Sequence, residues 1–468
     1  MSQSKPTLVP SSPPPSRSEI FFSELRPTLH LAIPLIIAEL GWMAMGIVDT
    51  MMVGHLPNSA VAIGAVSLGG GLYYTVAIFG SGLLLGLDTL VAQAFGRKDL
   101  ADARTSLVNS LILALVLAPL MMAVVSLWPP LMQRMHIDPQ VLREMGPFLR
   151  ALNWSTLPLA LYFALRRYLQ AVGIVKPVTF ALVSANIVNA AGNWIFIYGR
   201  LGSRAYGLPG SGWSTCAARI YITIVLIVAL LYFNKRKQLG LFEPGLSIEL
   251  RRMWDLLRLG FPAATQILLE IGVFTIATAF IAKLGPFPLA GHQIALNAAA
   301  FTYMVPLGIS SAAAVRVGHA VGRNDPAGAR RAGWTAIIVG AAFMSFAAIL
   351  FLAIPTWIAR IFSPDPRVIH IGATLLLVAA AFELFDGLQT VATGALRGLG
   401  DTHTPMLTNL LCYWAIGLPV GYVLCFHFGW SAVGLWIGLC LGLVLIGSIL
   451  LFMWNQRTRQ SHGAIDVK

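Results

Sequence analysis

The chain has 468 residues, 57% of them hydrophobic and 11% charged, with a formal net charge of +13. A soluble domain carries about 25% charged residues, so an ordinary water-soluble enzyme or binding module is excluded. The apolar runs are near-continuous and do not alternate with period two, which excludes an outer-membrane barrel and leaves a bundle of helices, whose backbone groups are satisfied inside lipid.

Residues 1–25 form a tail containing Pro10-Ser-Ser-Pro-Pro-Pro-Ser16, a composition expected to be disordered or extended. No short apolar stretch precedes a small-residue cleavage site there, so the first helix is expected to direct insertion. Twelve apolar segments follow, over approximately 27–53, 59–95, 104–128, 139–170, 175–199, 206–233, 248–284, 286–321, 327–355, 366–398, 403–427 and 429–455. Spanning the hydrocarbon takes about 20 residues, and the longer segments predict tilted, kinked or protruding helices. Pro34, Pro119, Pro158, Pro262 and Pro306 lie inside spans, where kinks are expected. The fold class is therefore all-α integral membrane, with a six-helix lobe over 26–233, a linking loop over 234–247, a second six-helix lobe over 248–455 and a tail over 456–468.

The two lobes repeat each other. Val91-Ala-Gln-Ala-Phe-Gly96-Arg97-Lys-Asp99-Leu-Ala-Asp-Ala-Arg104 returns as Val317-Gly-His-Ala-Val-Gly322-Arg323-Asn-Asp325-Pro-Ala-Gly-Ala-Arg330, with seven matches after the valine at an offset of 226. Pro34 and Pro262, Leu56 and Leu284, Ala62 and Ala290, Gly173 and Gly400, and Pro177 and Pro405 match at 227 or 228. A unit this long is not a solenoid repeat of about 20 to 50 residues. In a membrane protein such duplication points to a transporter with its site between the halves.

Placing the N-terminus, the even-numbered loops and the C-terminus on one side gives that side 23 of the 32 basic residues, among them Arg97, Arg104, Arg166, Arg167, Arg323 and Arg330. The positive-inside rule makes this side, and both termini, cytoplasmic. The bias accounts for the net charge, so no nucleic-acid partner is implied.

Six carboxylates fall inside predicted spans: Glu39, Asp49, Asp88, Glu270, Glu383 and Asp386. A charge at the bilayer centre costs roughly 2.5–3.5 kcal/mol on insertion scales and is by default a functional hypothesis. Each must face water, pair with a cation or protonate. Glu270 has no basic residue within two turns of its helix, which points to ion or proton binding; the competing reading is a protonated, hydrogen-bonded carboxyl. Asp386 follows Glu383 by three residues, so the two project to nearby faces. Either both serve a cation, or Glu383 pairs with a neighbouring helix and Asp386 acts alone. Asp49 is a cavity carboxylate or a helix-end hydrogen bonder, Asp88 is expected to be structural, and Glu39 has no visible partner. Asn189 and Asn193 share a face, to hydrogen-bond between helices or to line a polar cavity.

No phosphate-binding GxxxxGK[ST] or HExxH motif occurs, and His292, His319, His370 and His427 lack metal spacing. Cys216, Cys412, Cys425 and Cys440 sit in apolar helices without a CxxC pair and are expected to pack. Gly69-Gly-Gly71 is expected to mark close helix approach. The chain is not expected to be an enzyme or to hold a cofactor.

Gly46-Ile-Val-Asp-Thr-Met-Met-Val-Gly54, Val91-Ala-Gln-Ala-Phe-Gly96, Asn193-Trp-Ile-Phe-Ile-Tyr-Gly199, Gly291-His-Gln-Ile-Ala-Leu-Asn297, the segment 305–318 and Leu396-Arg-Gly-Leu-Gly-Asp401 together resemble the multidrug and toxic compound extrusion (MATE) family, over about 26–455. The acid of the seventh helix and the aspartate of the tenth resemble its NorM-type branch. The resemblance implies two lobes in a V around a cavity that opens alternately to each side. It implies an inner-membrane exporter, taken here as a monomer among membrane lipid, that trades inward Na⁺ or H⁺ for amphiphilic, mostly cationic drugs. It assigns the coupling cation, with Na⁺ as the metal if it is Na⁺, to Glu270 and Asp386, and a coupling or substrate role to Asp49. Asn189 and Asn193 match a family site, with Glu383 and Glu39 as additional coupling or cavity residues. Two departures stand out. Asn193 is an amide where a proton-linked branch has an aspartate, and Phe382 stands where an aromatic hydroxyl often lies near the tenth-helix aspartate; Na⁺ and H⁺ stay open. The alternative is a lipid-linked precursor flippase of the same superfamily, which would need a basic cavity, whereas the buried charges are mostly acidic apart from Arg219 and Arg316. The duplication does not extend to the acids: Asp49 faces Ala277, Glu270 faces Trp42 and Asp386 faces Leu159 in the other copy.

Overall fold

The structure, a computed structural model, describes residues 17–134, 138–241 and 247–463. The Pro/Ser-rich stretch 10–16, the middle of the linking loop and the end of the C-terminal tail lie outside the described residues. The described elements are all helices. In the first half they are α1 (Arg17–Val53), α2 (Ser59–Leu83), α3 (Gly86–Gly96), α4 (Leu100–Ser126), the short α5 (Trp128–Gln133), α6 (Pro139–Asn153), α7 (Thr156–Ala171), α8 (Lys176–Tyr198) and α9 (Leu208–Lys237). In the second half they are α10 (Leu250–Ala282), α11 (Pro286–Gly322), α12 (Pro326–Ala353), the short α13 (Pro355–Phe362) and α14 (Pro366–Leu399). Then come α15 (His403–Asn409) and α16 (Leu418–Tyr422), joined and followed by wide π-helical turns over Leu410–Gly417 and Val423–His427, and finally α17 (Ser431–Gly463).

Eleven stretches among the described residues are long and apolar enough to cross a membrane. The fourth expected span, 139–170, is instead two helices, α6 and α7, interrupted at Trp154 and Ser155. Arg143, Glu144 and Arg150 at one end and Arg166 and Arg167 at the other leave only residues 151–165 uncharged, and neither helix is among the eleven. At the break, the Ser155 hydroxyl donates to the Leu152 carbonyl at 2.5 Å. The second expected span also bends, between α2 and α3 at Leu84 and Leu85.

The repeated Gly-Arg-x-Asp motif forms the same elbow twice. Lys98 and Asn324 take left-handed φ values of 61° and 55°. The next residue caps the following helix: Asp99 Oδ1 accepts from the Asp102 N–H at 3.0 Å and Asp325 Oδ1 from the Gly328 N–H at 2.7 Å. Such caps satisfy the free donors of a helix start. Arg252 pairs with Asp102, Arg104 donates to the Gly240 carbonyl at 2.6 Å, and Arg457 pairs with Asp401 at 3.3 Å. The first elbow thus meets both sides of the linking loop, and the α14–α15 turn meets the C-terminal helix.

The two large apolar cores sort by half. One is built from residues between Ala38 and Leu256, the other from residues between Val273 and Trp454, joined by Ala32, Leu35 and Val175. α1 therefore begins in the second core and ends in the first. The halves touch through small residues related by the repeat. A Cβ on Gly308 of α11 would stand 2.7 Å from the Ile36 nitrogen of α1, and one on Gly82 of α2 would stand 2.6 Å from Ala264 Cα of α10. Gly82 and Gly308 are 226 apart, and Ile36 and Ala264 are 228 apart. Of the Gly69–Gly71 run only Gly69 makes a close approach, to Met145 at 2.9 Å; Gly70 and Gly71 face open space.

Candidate functional site

Helix α14 carries Glu383, Asp386 and Gln389 at spacings of three, so the three project to neighbouring faces. Gln389 Nε2 donates to Asp386 Oδ1 at 3.2 Å and to Glu270 Oε1 of α10, also at 3.2 Å. One amide therefore joins two carboxyls that lie 116 residues apart in sequence. No basic side chain is paired with either of them among the described ion pairs. Glu383, wholly buried, accepts from Thr302 Oγ1 of α11 at 3.0 Å. Tyr303 lines the same cavity as Glu270 and Gln389. A phenol is thus present beside the pair, although it does not come from position 382: Phe382 stacks on Trp436 with ring centroids 5.6 Å apart.

The other half holds a separate polar cluster. Asp49 of α1 accepts from Asn193 Nδ2 of α8 at 2.6 Å and from Thr215 Oγ1 of α9 at 3.2 Å. Asn193 Nδ2 also reaches Asn189 Oδ1 at 3.3 Å. Both asparagines are fully buried, whereas Asp49 keeps partial exposure. Beside them Arg219 donates to the Tyr73 hydroxyl and to Ser155 Oγ, each at 2.6 Å. Its guanidinium lies over Tyr73, Tyr74 and Trp42 at 5.1–5.9 Å from the ring centroids, distances at which cation–π attraction operates.

The remaining two acids have cationic partners. Glu39 pairs with Arg166 of α7, which also donates to the Tyr162 hydroxyl at 2.9 Å. Arg166, counted with the exposed basic side in sequence, is in fact buried in a helix, because an internal acid lies across from it. Asp88 meets Arg167 at 3.3 Å and Arg397 of α14 at 3.8 Å. Sequence reasoning passed over Gln389, Thr302, Tyr303 and Thr215. The usable signal was Gln389, a third polar residue three positions after Asp386.

No cluster of three or more His, Cys, Asp or Glu close enough to hold a metal occurs among the described residues. An alkali cation at α14 would instead draw on mixed oxygen donors: the Glu270 and Asp386 carboxyls and Gln389 Oε1, which has no protein partner. Hard oxygen donors of this kind suit such ions. The arrangement can hold a cation or a proton by charge; it offers no nucleophile beside a base.

A family model described as MatE matches the chain twice, over 34–195 and 262–423. The two matches begin at Pro34 and Pro262, the offset of 228 read from the repeat. The probable multidrug resistance protein NorM of Mesorhizobium japonicum is 36% identical over 446 residues, covering 93% of this chain and 94% of that protein. Its counterpart in Bradyrhizobium diazoefficiens has the same identity and coverage. Among solved structures, the eukaryotic MATE transporter AtDTX14 superposes with a TM-score of 0.82 at 22% identity, covering 95% of this chain and 100% of that one. An outward-facing multidrug resistance MATE family transporter of the MOP superfamily gives 0.84 at 18%, covering 94% and 96%. These likenesses establish the two-lobed MATE fold for the arrangement of helices described above. With its doubled family match and full-length relatives, the chain belongs to the MATE family and is a membrane transporter, not an enzyme.

Proposed function

We propose that the protein is a secondary-active multidrug exporter of the inner membrane, in which inward Na⁺ or H⁺ drives amphiphilic, mostly cationic compounds outward. The observation that carries this reading is the Glu270–Gln389–Asp386 cluster: two carboxyls on different helices, joined by one amide and with no ion-pair partner among the described residues. Carboxyls placed so deep in an apolar bundle are costly unless they serve a cation. An inward positive charge is driven by about 2.3 kcal/mol per 100 mV. For coupling, the cation must bind one arrangement of the lobes better than the other, with 26–233 and 248–455 as the moving bodies and both termini in the cytoplasm. Asp49 with Asn193 would take the cationic drug. That the relatives of this chain are described as multidrug resistance proteins supports the substrate class. The lipid-precursor reading fits less well. Buried Arg219, one of the cations a pyrophosphate would need, is already committed to Tyr73 and Ser155.

The test is export from proteoliposomes under separately imposed Na⁺ and H⁺ gradients. Glu270→Gln and Asp386→Asn should each lose cation-driven export while still binding drug. Export by both at the wild-type rate would remove the cation assignment.

A further inference from the structure

From Asp386, the polar side chains Gln389, Thr393 and Arg397 continue along α14 at spacings of three, four and four, which keeps them on one face. They line a cavity of about 60 Å³ that runs from Glu270 past Tyr303 to Thr402 at the end of the helix. About 10–15 Å³ is the least that holds one water, so the cavity has room for water. Gln389 Oε1, Thr393 Oγ1, Arg397 Nε and Thr402 Oγ1 are each buried without a protein hydrogen-bond partner. Buried polar atoms are nearly always satisfied, by protein or by ordered water, and four along one cavity point to a hydrated file.

The far end of the file is closed by the other lobe. The Arg397 side chain is only 10% exposed and has Asp88 of α3 as its acidic neighbour, at 3.8 Å. Thr89 of α3 donates to the Arg397 carbonyl at 2.6 Å, and Gln93 to the Gly398 carbonyl at 3.1 Å. A fixed guanidinium inside a confined passage repels cations. Separating the lobes at this end would withdraw Asp88, Thr89 and Gln93 from Arg397 together.

We propose that this face of α14 is a water-lined release route for the coupling cation, running from Glu270 along α14 to the elbow end, with Leu85 of the first lobe on its wall. Arg397 is its closure, and α3 of the first lobe holds that closure shut. The cation would then leave only when the elbow end opens. The direction of release rests on the cation reading of Glu270 and Asp386; the hydration of the route does not.

The test uses the full chain in proteoliposomes with Cys216, Cys412, Cys425 and Cys440 replaced by alanine. Single cysteines are exposed to the small cationic reagent 2-aminoethyl methanethiosulfonate. Thr393→Cys should react at least about tenfold faster than Val391→Cys, which is fully buried on the opposite side of the helix in apolar surroundings that stay dry. Adding Arg397→Ala should raise the Thr393→Cys rate further. Thr402→Cys reports on the same file nearer its closure if Thr393→Cys does not fold. Rates equal to Val391→Cys at both positions would overturn the route. Arg397→Ala should also leak the coupling cation without drug, and Glu270→Gln should stop that leak. A tight Arg397→Ala protein would remove the closure. Normal export by Glu270→Gln would instead remove the cation assignment and leave the labelling result standing.

Discussion

Gly96 lies against the main chain of His319 with no room for a side chain: a Cβ there would stand 2.3 Å from the His319 carbonyl oxygen. A Cβ on Gly322 would stand 2.1 Å from the carbonyl oxygen of Gln93. Gly96 corresponds to Gly322, and Gln93 to His319, at the repeat offset of 226. The contact is therefore reciprocal, as in an interface between two copies related by a two-fold axis. The repeated motif is the surface by which the lobes close on each other at the elbow end.

Gly96→Val and Gly322→Val should each wedge this end apart. The backbone atoms they would strike cannot rotate away, so relief has to come from lobe movement. Spin labels on the exposed Lys98 and Asn324 would read the elbow separation. A longer distance in the variants, with export reduced, is expected; an unchanged distance in a folded protein would mean that the glycines do not set closure.

The buried Glu39–Arg166 pair gives a prediction of a different kind. Removing one partner of a buried ion pair leaves an uncompensated charge and costs about 3–5 kcal/mol, whereas replacing both by apolar residues is often near neutral. Arg166→Leu should accordingly lower thermal stability in detergent, and Glu39→Leu combined with Arg166→Leu should recover most of the loss. If the double variant also exports drug, Glu39 is architectural. A stable double variant without transport would return Glu39 to the coupling machinery.

Asn193 donates the shortest hydrogen bond received by Asp49. Hydrogen bonds to charged groups contribute about 1.5–3 kcal/mol. Asn193→Ala should thus free the Asp49 carboxylate from its position and weaken binding of a cationic drug by roughly tenfold or more, at about 1.4 kcal/mol per tenfold. Equilibrium binding to the purified protein measures this directly. A drug affinity equal to wild type would place the substrate elsewhere.

Much of this architecture is legible in the sequence because polar residues stand out in an apolar background. Asn189, Asn193 and Asp49 are conspicuous for that reason, and the structure brings them together; so are Glu270 and Asp386. The repeat was visible because Gly96, Asp99, Gly322 and Asp325 carry backbone geometry, in close approaches and helix caps, that few other residues supply. What sequence could not give was pairing across long separations. Arg166 reads as one more basic residue near a helix end until Glu39, 127 positions away, is placed beside it. The break at Trp154 and Ser155 was hidden too, since an apolar stretch of 15 residues flanked by charges resembles part of a longer span.

Gln389 is the residue on which the two acids of the second lobe depend for their common geometry. Its Nε2 reaches both carboxyls at 3.2 Å, while its Oε1 has no hydrogen-bond partner in the protein. Leucine at this position keeps the size and the helix propensity but removes the shared donor and that oxygen. Gln389→Leu should therefore raise the cation concentration needed for half-maximal export by about tenfold or more, since two hydrogen bonds to carboxyls are lost and one to a charged group contributes about 1.5–3 kcal/mol, and leave the drug affinity unchanged. A lobe site for drug at α14 would give the reverse pattern, with drug affinity reduced and the cation dependence intact. Measuring both constants on one reconstituted protein separates the two, because a general loss of folded transporter lowers the maximal rate without moving either constant.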